Sequence, residues 1–116
     1  MNNEVNTLIK IYKYPVIFAV EDKETDEGDF PVYIRIPDLV DAGFSFASSA
    51  GHTEDDILTI ASDCMKMSII DGLRRDLQAP VASKLRDIDL KRHLSRYDEE
   101  PIDLKSIAVE WIKAEI

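Results

Sequence analysis

Apolar positions in this chain come in short blocks whose spacing changes from two residues to three and a half partway along. The first block, "YKYPVIFAV" from Tyr12 to Val20, is rich in aromatic and β-branched residues and reads as a strand. Tyr14, Val16, Phe18 and Val20 point one way, and Ile17 and Ala19 the other. Both sides are apolar, which predicts an interior strand covered on both faces. Pro15 has no N–H to give to a ladder and is expected near the strand's beginning. The polar stretch 21–29 predicts a hairpin connection, with Gly28 free to take a positive φ. A second strand is expected over Phe30–Ile36, with Val32, Ile34 and Ile36 opposed to Tyr33 and Arg35. Pro37-Asp38 breaks it, Asp41-Ala42-Gly43 allows a turn, and Phe44–Ser48 is expected as a short third strand at a sheet edge.

The spacing then turns helical. Thr53 is placed to cap, with Asp56 three residues on as the carboxylate of a capping box, and Glu54, Asp55 and Asp56 suit the positive end of the helix dipole. Ile57, Ile60, Ala61, Cys64, Met67 and Ser68 fall on one face, and the main helix is expected over residues 53–77, before Ala79-Pro80. Leu58, Met65 and Ile69 fill a neighbouring face, while Ile70, Leu73 and Leu77 lie roughly opposite. A helix apolar nearly all round needs cover nearly all round. Residues 81–97 or a partner subunit can supply it, and the reading favours the partner. Met65, Ile69 and Leu73 are therefore expected in a self-association surface, in a homodimer or higher oligomer. Near the end, Leu104, Ile107, Ala108, Trp111 and Ile112 match a helical stripe, yet Ile107, Val109 and Trp111 alternate as in a strand. Periodicity alone slightly favours helix there.

Composition narrows the function. The chain has 116 residues, enough for one domain with a real core, and shows neither repeats nor low-complexity tracts. Its net charge of −9 opposes phosphate backbones, so direct nucleic-acid binding is not expected. The same charge favours encounter with a basic partner. Residues 81–97 form a small basic island, with Lys84, Arg86, Lys91, Arg92 and Arg96 against Asp87 and Asp89, which reads as a solvated face. Apolar runs are too short for a membrane span, and "MNNEVNTLIK" lacks the basic-then-apolar pattern of a secretory leader. A single cysteine, Cys64, excludes an internal disulfide and suits a reducing cytoplasm, where the protein is expected.

Candidate chemistry is sparse. His52 and His93 stand apart in sequence, Cys64 has no second thiol, and no phosphate loop, dinucleotide fingerprint or nucleophile elbow is present. No catalytic residue, metal site or cofactor is expected. Glu21 and Asp22 follow the apolar part of the first strand, where a solvated turn fits better than an inward-facing metal pair.

Taken in order, "YPVIF" at 14–18, "VYIRIPDL" at 32–39 and "HTEDDILTIA" at 52–61 resemble the HicB family of antitoxins. The resemblance covers residues 12–116, within a single domain spanning 1–116. "VDAG" stands where the family commonly has a Pro-Gly-Cys type sequence, and no separate DNA-binding domain is expected. The resemblance implies an α+β fold of β-β-β-α-β order, a partial RNase H-like unit. Three antiparallel strands would be followed by a helix and, through a right-handed crossover, a last strand beside the first. It thereby tips residues 105–114 toward a returning strand. It also implies neutralisation of a small basic HicA-type ribonuclease toxin that degrades mRNA, by covering its active site. The acids expected to steer that partner are Asp22, Glu24, Asp26, Glu27 and Asp29. Two other readings stand beside this one: an orphan HicB-like adaptor or scaffold without a toxin, and a metal-dependent nuclease.

Overall fold

A computed structural model describes residues 10–94 and 103–116. They form an α+β fold around one antiparallel sheet. Strand β1 is Ile11–Glu21, β2 is Pro31–Arg35, β3 is Ser48–His52 and β4 is Leu104–Glu115. The order across the sheet is β3-β2-β1-β4, so the doubly apolar first strand is interior, as its pattern predicts. Every residue from Tyr14 to Ala19 is buried. Pro15 sits well inside β1 rather than at its start. The β1–β2 register sets Ile17 against Arg35, and two residues further on Pro15 would face Pro37, where β2 has already ended. The missing N–H therefore falls where no ladder partner exists.

The hairpin residues take the conformation expected of them, with Gly28 at φ 86°. The Pro37-Asp38 pair does more than break β2. It opens a short helix, α1 (Pro37–Asp41), because the fixed φ of proline suits a first helical position. Gly43, at φ 83°, then reverses the chain. The third strand lies later than expected. Phe44 and Ala47 are core residues outside any strand, and the ladder with β2 is made by Ser48–His52. It is nevertheless an edge strand.

The main helix, α2, spans Ile57–Arg74, shorter at both ends than residues 53–77. Its cap is Asp56, whose side chain accepts from the Thr59 N–H. Thr53 is instead tied to the sheet, its hydroxyl accepting from Phe30 N–H and its own N–H donating to Phe30 C=O. At the other end Asp76 takes φ 63°, and Asp76 and Leu77 N–H donate to the Leu73 and Gly72 carbonyls, the bond pattern of a Schellman stop. The buried stripe of α2 is Ala61, Cys64, Met65, Ser68, Ile69 and Gly72, rotated from the expected one, and Met67 points outward. Met65 and Ile69 are fully buried with Val16, Phe18, Val32 and Ile34 of the sheet. Burying each such side chain is worth roughly 1.5–3 kcal/mol. Their apolarity is thus used within one chain, which removes the reason for assigning them to self-association. Of that trio only Leu73 reaches the surface.

From α2 the chain crosses the end of the sheet toward its far side. Tyr14 hydroxyl donates to Pro80 C=O at 2.6 Å, and both oxygens of buried Asp38 are held by Ser83, at 2.8 Å from N–H and 2.6 Å from the hydroxyl. A 3-10 turn, Leu85–Asp87, and a short helix, α3 (Leu90–Leu94), follow. This segment packs on α1 and the far side of the sheet rather than over the outer side of α2; Arg96 of the basic island lies outside the described residues. The last segment is the strand β4, paired with β1 from Ile11↔Glu115 to Glu21↔Leu104 with a bulge at the hairpin end. All three ladders are antiparallel, so β3 and β4, the strands joined through α2, run antiparallel too, and the right-handed crossover expected between parallel strands is not formed.

Candidate functional site

The hairpin after β1 is ordered from within. Thr25 N–H donates to Asp29 C=O, Gly28 N–H to Thr25 C=O, and the Thr25 hydroxyl to the Asp29 carboxylate. The other Asp29 oxygen lies 3.3 Å from His52 Nδ1 at the end of β3. Asp29 is only 4% exposed. Of the five acids expected to meet a partner, Asp22, Glu24, Asp26 and Glu27 are exposed, whereas Asp29 is the internal tie of the loop. Its carboxylate is turned into the loop, so Asp29 adds to the local negative field but offers little surface for direct contact with a partner.

The sheet brings further acids to the same end. Phe30 is bonded to Thr53, and His52 N–H donates to the Asp55 carboxylate at 2.8 Å. Asp22 N–H donates to the Asp103 carbonyl beside the start of β4. The exposed side chains of Glu54, Asp55, Asp56 and Asp103 therefore join those of the hairpin. Lysines are few here: Lys23, and Lys105, whose ammonium lies 4.2 Å from the Phe30 ring centre. The sequence alone assigns residues 54–56 to the helix dipole. Their neighbourhood with the hairpin depends on the β2–β3 register, which a misplaced third strand hides.

His52 does not stand alone either. One ligand atom each from Glu27, Asp29 and His52 lies within 4.8 Å of the others, a spacing from which carboxylate and imidazole can reach a divalent cation.

A second polar cluster lies at the opposite end. His93, 3% exposed, accepts from Arg35 Nε at Nδ1 over 3.1 Å, while its Nε2 lies 3.4 Å from Asp41. Arg92 holds Asp41 with two bonds of 2.8 and 2.9 Å. Accepting at Nδ1 requires the neutral ring. Burial first, then the Arg92 and Arg35 charges, hold His93 below the usual histidine range, against the opposing pull of Asp41. The Arg92 bond lowers Asp41. Burial alone raises the Cys64 thiol, whose sulfur points at the Phe46 carbonyl. These groups fasten elements to one another. A shallow groove of about 460 Å³ beside α2 is lined by Phe46, Met67 and Ile70 with Asp63, Lys66, Asp71 and Arg74, while Leu58 and Leu73 of the same helix are exposed outside it.

No family, curated protein or solved structure matches this chain. Among the described residues, no helix is long and apolar enough to cross a membrane.

Proposed function

We propose that this chain is an antitoxin-like binding protein of the cytoplasm. It neutralises a small basic ribonuclease of the HicA type by laying its acidic end over the toxin's RNA-binding surface, and performs no catalysis itself. The observation that carries this reading is the gathering of exposed carboxylates from the hairpin and the start of α2 at one end of the sheet. An enzyme that grips RNA is cationic where it grips, and a polyanionic protein surface competes for the same ground. Charge of this kind raises association rates by roughly 10- to 1,000-fold at low salt. Affinity itself comes from buried anchors, for which the apolar groove beside α2 is available. The resemblance to HicB antitoxins in "YPVIF", "VYIRIPDL" and "HTEDDILTIA" points the same way, since these stretches fall on β1, on β2 with α1, and across the β3–α2 junction.

The test is stopped-flow association with a purified HicA-type toxin, together with growth rescue on co-expression. Neutralising the four exposed hairpin acids at once (Asp22→Asn, Glu24→Gln, Asp26→Asn, Glu27→Gln) is expected to slow association at least about 10-fold at low salt. The difference should shrink at high salt while the circular dichroism spectrum stays that of the parent. Absence of any complex with the unaltered chain sinks the toxin reading and leaves the adaptor reading. Magnesium-dependent RNA cleavage that disappears in Glu21→Gln or Asp22→Asn would instead establish a nuclease.

A further inference from the structure

Strand β4 is twelve residues long, and among the described residues nothing pairs with its outer edge. The reciprocal bonds between Lys10 and Ile116 set the phase of the β1–β4 ladder, so even-numbered β4 residues bond to β1 and odd-numbered ones present N–H and C=O outward. Two features bound the open stretch. The bulge opposite Val20 and Glu21 interrupts the strand at Lys105, and the Ser62 hydroxyl occupies the Lys113 carbonyl at 2.8 Å. Between them the outward residues are Ile107, Val109 and Trp111. Their side chains lie on the face away from α2, opposite Ala19, Ile17 and Pro15. Ile107 is 43% exposed and Trp111 39%, with the Lys13 ammonium 5.4 Å from the Trp111 ring. An apolar row beside unpaired backbone is a strand-pairing surface.

We propose that this edge pairs with the same edge of a second copy, antiparallel about a two-fold axis at Val109, joining two sheets into one of eight strands. The occupant is a second copy because the stretch is complementary to itself. With the axis at Val109, all three outward residues find partners at once, Val109 with Val109 of the other copy and Ile107 with its Trp111. Aromatic and β-branched residues in direct opposition are a favourable cross-strand pair. Shifting the axis by one residue sets one of the three against a lysine, and shifting it by two leaves two of them without an apolar partner. The same register sets Lys105 opposite Lys113 at both ends, so the pairing stops at the bulge and the capped carbonyl, and the interface stays small. The two acidic ends then point away from each other, and both remain open. The inference does not depend on which cationic partner they meet.

Sedimentation of the full chain from about 1 µM to about 1 mM tests it. A monomer–dimer equilibrium is expected, tightening as salt screens the flanking lysines and the net charge. Val109→Lys sets two ammonium groups face to face on the axis and should weaken the dimer at least about 10-fold. Val109→Cys should give a disulfide-linked dimer under mild oxidation, since paired residues in that position have Cα atoms about 5.5 Å apart. Met67→Lys, on the groove beside α2, should leave the equilibrium unchanged. A monomer at every concentration overturns the proposal. So does a dimer that ignores Val109→Lys, or one that Met67→Lys dissociates. Retained circular dichroism shows that each variant is folded.

Discussion

At the scale of single residues, two positions show opposing effects large enough to separate. Gly72 lies inside α2, where alanine would be preferred by about 1 kcal/mol on helix propensity. A Cβ there, however, would sit 2.1 Å from the Phe44 ring, and displacing a packed ring costs about 1–3 kcal/mol or more. Overpacking outweighs propensity. Gly72→Ala should lower the melting temperature by several degrees, and Phe44→Leu in the same chain should make the added methyl neutral or favourable. The second position is His93. Its folded pKa lies below its unfolded value of about 6.5. The unfolded chain therefore binds the extra proton first as pH falls, and the stability contributed by the neutral ring, full above that value, is lost on descending toward the folded pKa. Denaturant midpoints measured between pH 7 and 5 should fall in the parent chain and fall less in His93→Gln.

Among the elements, the hairpin shows how burial can be invisible in a string of like residues. Nothing in "EDKETDEGD" separates Asp29 from its neighbours. It is singled out by Thr25 within the loop and by His52 on a strand more than twenty residues away. Asp29→Ala leaves the Thr25 hydroxyl and the His52 ring without the carboxylate they share, at a cost of roughly 1–3 kcal/mol. Amide exchange at Thr25 and Gly28 should accelerate, with little change in the middle of β1. The elements legible in the sequence are those whose own residues enforce them: β1 through its unbroken apolar run, β2 through strict alternation, and α2 through its length. Strand β3 is not of that kind. "SSAGH" has no strand signature, and its extended form is imposed by the ladder with β2. The stripe of α2 was open to misreading for a related reason, since Met67 and Met65 differ in role by rotation alone. The acidic end of the sheet combines these two limits. Its hairpin half is plain in the sequence, and its second half follows from a pairing register that no local pattern encodes.

For the molecule as a whole, charge is divided along the strands, with carboxylates dominating one end and Arg35, His93 and Arg92 knitting the other. Added salt should therefore act with opposite sign on the two proposed associations, loosening a cationic partner and tightening the pairing of like copies. The ladder between β1 and β4 carries a different implication. It joins Ile11 to Glu115, a pairing of very long sequence separation. During synthesis the central strand would leave the ribosome long before its neighbour exists, with one greasy flank open throughout. Contacts of such span slow the search for the native state and prolong aggregation risk. The newborn polypeptide is thus most exposed to aggregation until β4 emerges and covers that flank.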